Sequence, residues 1–242
     1  MRTLGVIQAR MGSERLRGKV LTPLAGRTVL SRVVRAVRES GAIDGLVVAT
    51  TVEGIDDAVA QECERLGVDV YRGPVDDVLT RFLGVLAEHP ADAIMRFTAD
   101  CPLLDPEIIA TGVKMFHAAP GIDYLSTSIV RTLPRGLDVE IIRADTLRAL
   151  DGMVTDFHRT HVTSYVYSHP DQFRIVGLTL PPDRSSLRLT LDTPEDLRLL
   201  EEIVAYFGDT SVSLQKMIEW LSANPEMAAI NAHIEQKALN QG

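Results

Sequence analysis

With 242 residues and 45% hydrophobic content, the chain has apolar material for one α/β domain with a full core, and no internal repeat or low-complexity linker divides it. A net charge of −8 argues against nonspecific nucleic-acid binding, which runs on phosphate neutralisation, and no apolar run reaches membrane-spanning length. Two cysteines are too few for a disulfide framework or a zinc cluster, and Met1-Arg2 leads at once into the first strand, leaving no room for a signal peptide; a cytoplasmic location is the expectation.

The first element is a short apolar run from Gly5 of strand length. It breaks at Gln8-Ala9 into a loop holding Gly12 and Gly18 and four cations, Arg10, Arg15, Arg17 and Lys19, against Glu14 alone. A cationic loop at the end of a buried strand, on an acidic protein, calls for an anionic ligand. The two glycines allow a backbone nest. Each cation reaching a phosphate is worth about 1 kcal/mol in water and about 4 kcal/mol at lower effective dielectric, so several contacts suit a triphosphate. The loop is no Walker A motif: one residue too many separates the glycines, and Val20 follows the lysine where a hydroxyl is needed. The competing reading is a solvated basic loop.

Val29, Leu30, Val33, Val34 and Val37 recur at helical spacing, and Gly41 closes that helix. A strand over Leu46–Thr50, a helix over Ile55–Leu66 stopped by Gly67, and a strand over Val68–Tyr71 follow. This alternation predicts a mostly parallel sheet covered by helices on both faces, with ligands at the carboxyl ends of its strands. Asp76-Asp77 can start the next helix; Arg81, one turn inside, faces the cleft or an acidic neighbour. The strand Ala93–Phe97 leads to Asp100 just before Pro102. A carboxylate there could hold a hard cation or simply cap a turn. Asp105-Pro106-Glu107 caps a helix, and Cys101 reads as a buried small apolar group.

From about 123 to 182 the pattern loosens. Tyr124–Ser126 reads as a strand. Leu137–Ile142 alternates, placing Asp138 and Glu140 on one face, either solvated or lining an acceptor pocket. A helix beginning near Asp156 puts His158 and His161 one turn apart, without the third ligand zinc needs. Leu187–Leu191 reads as a strand, Asp192 ends it, and either Asp192 or Thr193 caps the helix of Pro194, Glu195 and Asp196. Helices over Glu195–Tyr206 and Val212–Leu221 precede a weakly amphipathic tail, Met227–Leu239, expected to pack on the body or a partner subunit.

The order Gln8-Ala9-Arg10-x-Gly12-Ser13-x-Arg15-Leu16-x-Gly18-Lys19, with Leu24-x-Gly26-Arg27, resembles the opening of the cytidylyltransferases that make CMP-activated acidic sugars, nearest to the branch of spore coat polysaccharide biosynthesis protein F. Thr98-x-Asp100-Cys101-Pro102-Leu103, Gly136-Leu137-Asp138-Val139-Glu140, His161-Val162-Thr163 and Leu191-Asp192-Thr193-Pro194-Glu195-Asp196 extend the likeness over nearly the whole chain. It implies a nucleotide-diphospho-sugar-transferase-like (GT-A/Rossmann-like) fold in a single domain, 1–242, with a small acceptor and dimerisation subregion, and a homodimer.

The resemblance implies further that Arg10, Arg15 and Lys19 hold the triphosphate of CTP, with Gln8, Ala9, Gly12, Ser13, Arg81 and Thr98 in the nucleotide site. Asp100 and Asp192 would bind Mg²⁺; Arg10, Lys19 and Asp100 would carry catalysis. Arg135, Asp138, Glu140 and His161, with Arg131, would take an acidic acceptor. Three residues depart from the family pattern: Arg17 stands where Pro is usual, Thr98 where a Gln reads the base, and Thr160 where a Glu is usual. The expected activity is transfer of CMP to an acidic sugar for surface polysaccharide. One alternative is a GT-A-type glycosyltransferase, although Asp100-Cys101-Pro102 lacks the second acid of an Asp-x-Asp pair. The other is a non-catalytic nucleotide-binding or assembly subunit.

Overall fold

A computed structural model of the chain describes residues 1–13 and 15–236. The weakly amphipathic tail, Met227–Leu239, therefore falls partly outside the described residues, from 237 onward. Among the described residues nine strands form in chain order: β1 Thr3–Gln8, β2 Pro23–Leu24, β3 Arg27–Thr28, β4 Gly45–Thr51, β5 Asp69–Gly73, β6 Ala93–Thr98, β7 Tyr124–Ser126, β8 Glu140–Arg143 and β9 Ile175–Gly177. The helices are α1 Val29–Glu39, α2 Asp57–Leu66, α3 Val78–Glu88, α4 Pro106–Ala118, α5 Ala144–Leu150, α6 Phe157–Thr160, α7 Ser164–Ser168, α8 Pro194–Phe207, α9 Leu214–Ala223 and α10 Pro225–Ala229. Strands β2 and β3 form a hairpin; the other seven form one sheet in the order β5-β4-β1-β6-β8-β7-β9. Only β8 runs against its neighbours there.

Alternation along the strands sends apolar side chains to both faces, as a sheet covered on both sides requires. Ile7, Val48 and Met95 meet Val33 and Val37 of α1, Val59 of α2 and Ile109 and Phe116 of α4. Leu4, Val6, Val47 and Ile94 meet Phe82 and Val85 of α3, Leu147 of α5 and Val166 of α7. A third cluster packs Leu24, Leu137, Leu189 and Leu191 against α8 and α9. Among the described residues, no helix is long and apolar enough to cross a membrane.

The helix starts follow local chemistry. Asp77 caps α3, accepting from Thr80 N at 2.9 Å. Asp76 does not share that role; its carbonyl accepts from Thr160 Oγ1 at 2.9 Å. Asp105 caps α4 through Oδ1 and receives the first N–H of α9 through Oδ2. Thr193, and not Asp192, caps α8, in a capping box with Asp196.

Several boundaries differ from the sequence reading. Helix Ile55–Leu66 opens as a 3₁₀ turn, Gly54–Asp56, before α2. The helix near Asp156 divides into α6 and α7. The expected strand Leu137–Ile142 pairs only from Glu140 onward. Leu187–Leu191 is extended but is not a strand of the sheet. It pairs at a single bridge, with Arg135 N donating to Leu187 O and Leu189 N to Arg135 O. Gly136 explains the tightness of that crossing: its φ is +99°, and a Cβ there would lie 2.6 Å from the Leu189 backbone. Gly136→Ala therefore combines a left-handed backbone cost of about 1–2 kcal/mol with a backbone clash. Its thermal midpoint is expected to fall by roughly 4–8 °C; an unchanged midpoint in calorimetry would contradict the close approach.

Candidate active site

In the sheet order, the connection from β1 leads to one side and β6 lies on the other, so a crevice opens outside the carboxyl ends of β1 and β6. The cationic loop follows β1 and Asp100 follows β6. A cavity of about 630 Å³ lies there, lined among others by Arg15, Thr98, Asp100, Arg135, His161 and Asp192.

The two aspartates converge. Lys19 Nζ lies 2.6 Å from Asp100 Oδ2 and 2.6 Å from Asp192 Oδ1. Arg15 Nη2 is 2.9 Å from Asp192 Oδ2, and Arg188 Nη2 also donates to that oxygen. Burial opposes charge on Lys19, but the two carboxylates outweigh it and raise its pKa. Burial likewise pushes Asp192 up, and Lys19, Arg15 and Arg188 together hold it below the usual carboxylate range.

Gly18 is left-handed, at φ +71°, and Gly12 is not among the positive-φ residues. The N–H groups of Ser13 and Gly18 donate to Met11 O, that of Lys19 to Leu16 O, and that of Met11 to Asp56 Oδ1 at 2.6 Å. These four N–H groups are thus spent inside the protein.

Other candidates fall in two places. On the cavity wall, Asp138 pairs with Arg131 at 2.6 Å. Arg135 makes no side-chain hydrogen bond or ion pair among the described residues; burial and then the neighbouring Arg131 lower its pKa. Thr98 Oγ1 is 3.2 Å from Cys101 Sγ, and the ring of His161 packs on Phe157. Glu140 is no solvated strand face. It holds Arg96 Nη1 at 2.7 Å and accepts from Tyr124 and Thr163 hydroxyls. Burial pushes Glu140 up, and Arg96 and the two hydroxyls bring it below the ordinary value.

Gln8, Ala9, Arg10, Gly12, Ser13, Lys19 and Arg81 do not line the cavity, although Lys19 bonds two residues that do. Gln8 Oε1 accepts from Arg96 Nη2 at 3.1 Å, and Ala9 is buried. Gly12 is exposed and has no neighbour where a Cβ would stand. Arg10 is exposed and acts electrostatically on Arg81. Arg81 is 1% exposed, with Nε and Nη1 buried and unpartnered. Burial, then Arg10, lowers it to about 10 against the pull of Asp56, Asp77 and Asp76.

Sequence reasoning missed Arg96 and Arg188. Each is a charge inside an otherwise apolar strand-like run, which is the signal that could have found them. Gln236, which also lines the cavity, carried no such signal. Among the described residues no group of three or more His, Cys, Asp or Glu is arranged to hold a metal, and His158 instead bonds Ser164. The two carboxylates remain. Their oxygens face one point, the Lys19 nitrogen, and hard oxygen donors in that number fit Mg²⁺, which keeps waters and substrate phosphates as its other ligands.

A sequence profile for the cytidylyltransferase family matches residues 4–233. The chain is 34% identical to the spore coat polysaccharide biosynthesis protein SpsF of Bacillus subtilis over 234 residues, covering 93% of this chain and 96% of that protein. A cytidylyltransferase structure from Leptospira borgpetersenii superposes with a TM-score of 0.92 at 33% identity, covering 98% of this chain and all of that one. CMP:2-keto-3-deoxy-manno-octonic acid synthetase, solved with CTP, superposes at 0.67 over 86% of this chain and all of that one; at 16% identity this likeness concerns the fold.

Glu140→Gln leaves the half-buried Arg96 beside a neutral partner and is expected to cost about 1–3 kcal/mol. Because Glu140 is held below the ordinary 4.5, its contribution is complete above that value and is lost as pH falls through the lowered pKa. Acid denaturation followed by circular dichroism is expected to lose that component in the variant; identical acid profiles would refute the buried pair.

Proposed function

The chain belongs to the cytidylyltransferase family, and we propose on that premise that it transfers CMP from CTP to a small acidic acceptor and releases pyrophosphate. The observation that carries this reading is the meeting of Asp100 and Asp192 at Lys19, with Arg15 beside them, in the lining of a cavity that also offers Arg135. The octonic acid synthetase of the same fold was solved with CTP, which supports that donor. The name of SpsF supports a role in surface polysaccharide synthesis. A cytoplasmic homodimer completes the proposal.

In this reading an acceptor oxygen attacks the α-phosphorus, and the bond to the bridging oxygen of the β-phosphate breaks. Arg10, Arg15 and Lys19 neutralise the triphosphate and the leaving pyrophosphate. Gln8, Ala9, Gly12, Ser13, Thr98 and Arg81 flank the nucleotide, and the unpartnered donors of Arg81 favour a ligand there. Asp100 and Asp192 hold Mg²⁺, which when bound supplies positive charge at the phosphate oxygens. Arg135 binds the acceptor's acidic group, His161 adds a polar contact, and Asp138 and Glu140 fix Arg131 and Arg96 on the same wall. Positioning and charge stabilisation suffice for such a transfer without a covalent intermediate.

Asp100→Ala is expected to lower metal-dependent pyrophosphate release by at least about 10²-fold while the thermal midpoint stays near that of the parent chain. Full activity in that variant would remove the metal assignment. A pyrophosphate-release screen of CTP against acidic sugars, phosphonates and phosphate esters is expected to find turnover with an anionic acceptor. Arg135→Ala should then raise that acceptor's KM by roughly 10-fold or more. Turnover of a nucleotide sugar, with CTP inert, would instead establish a glycosyltransferase.

A further inference from the structure

After α10 the chain turns back toward the cavity. Asn231 is 2% exposed, and its Nδ2 donates to the Arg188 carbonyl at 3.0 Å and to Asp196 Oδ1 at 2.8 Å. Gln236 lines the cavity, and its Oε1 accepts from Arg188 Nη1 at 2.7 Å. Arg188 is 5% exposed; its Nε donates to Asp196 Oδ1 at 2.9 Å, and its Nη2 to Asp196 Oδ2 at 3.2 Å and to Asp192 Oδ2. Asp196, fully buried, also accepts from the N–H groups of Asp192, at 2.9 Å, and Thr193, at 3.0 Å. Asp192 is therefore held, backbone and carboxylate, by an Arg188–Asp196 pair that the C-terminal segment completes.

We propose that Asn231–Gln236 is a strap belonging to the nucleotide site, in which Asn231 and Gln236 are positioning residues for Asp192 through Arg188. Asp192 must present Oδ1 to Lys19 and Oδ2 to Arg15 at once, which fixes both its position and its rotation. Arg188 is the buried group that sets that rotation. Without Gln236 its Nη1 loses the partner from the strap, and the guanidinium is held from the Asp196 and Asp192 side alone. Without Asn231 the Asp196 carboxylate loses a donor and the strap its anchor. Small errors in a supporting group are expensive at sites of this kind.

The inference rests on the reading of Asp192 as the second metal carboxylate, so Asp192→Asn is measured alongside. Gln236 is exposed and outside regular structure, and Gln236→Ala is expected to unfold at the same temperature as the parent chain. Its Mn²⁺ affinity, read by electron paramagnetic resonance, and its KM for CTP are expected to weaken about 10-fold, with kcat falling less than about 3-fold. Gln236→Glu, which keeps an acceptor on Arg188, restores both. Asn231→Ala moves the same quantities in the same direction. If Asp192→Asn loses Mn²⁺ binding but Gln236→Ala retains parental Mn²⁺ affinity and KM, the strap proposal fails alone. A loss of thermal midpoint and kcat with those two quantities unmoved marks a merely structural segment and also overturns it. If Asp192→Asn binds Mn²⁺ and turns over like the parent chain, the reading of Asp192 fails and the strap falls with it.

Discussion

One ammonium group ties the site together. Lys19 Nζ bonds two carboxylates that lie 81 and 173 residues further along the chain, so the first loop, the end of β6 and the turn before α8 can meet only in one arrangement. Burying such charges is costly, and a buried ion cluster is weak evidence for stability. Its value is specificity of geometry. Lys19, Arg15 and Arg188 face Asp100, Asp192 and Asp196, so the cluster is close to neutral and can exist away from bulk water. Arg10 and Arg135 stand outside this balance. These two cations have no carboxylate within salt-bridge distance among the described residues.

The sheet supplies the frame for this arrangement. Divergent connections on either side of β1 leave a crevice at the carboxyl ends, and the order of strands puts the loop and Asp100 on its two lips. The antiparallel strand β8 lies beyond β6 and brings Glu140 level with Arg96. That pair, with the Tyr124 and Thr163 hydroxyls, forms a polar floor inside what would otherwise be an apolar layer. The cavity is thus made from two kinds of wall. One carries the converging aspartates; the other is a set of short elements, β7 to α7, whose polar groups satisfy one another and leave Arg135 to the solvent side.

The layered fold was legible because periodicity and helix caps report it locally. Val33 and Val37, Gly67 and Asp77 each announce their element within a few residues. Asp100 and Asp192 were legible only as candidates, since strand-end carboxylates also cap turns; here Thr193 takes the cap beside Asp192. The extended run Leu187–Leu191 shows the limit of alternation as a signal. Both sets of side chains are buried there, but the backbone meets a partner at one bridge, because Gly136 lets a loop and not a strand approach. Composition cannot say which loop N–H groups turn outward, and Met11 O, Leu16 O and Asp56 collect those of Met11, Ser13, Gly18 and Lys19. Arg188, Asn231 and Gln236 escaped because their importance lies wholly in one another.

The distribution of unsatisfied groups is the last link between fold and chemistry. Leaving a buried donor unpaired costs about 1–3 kcal/mol, and more for a charged one, so a protein with a well-packed core keeps few of them. Among the described residues the buried side-chain donors without hydrogen-bond partners are Thr50 Oγ1, two nitrogens of Arg81, Arg96 Nε and Arg35 Nε. Arg35 Nε lies 3.7 Å from Glu39 Oε1, and its Nη1 bonds Asp209. Of the rest, Arg96 of β6 lines the cavity, and Thr50 of β4 and Arg81 in the first turn of α3 lie in the half of the sheet that follows from β1 on its other side. The same chain caps α3, α4 and α8 with side-chain oxygens, so a general shortage of acceptors does not explain the pattern. Unmet polar capacity gathered at one end of a parallel sheet, opposite a cluster of matched charges, is the physical form of a site built to be completed by a polar ligand.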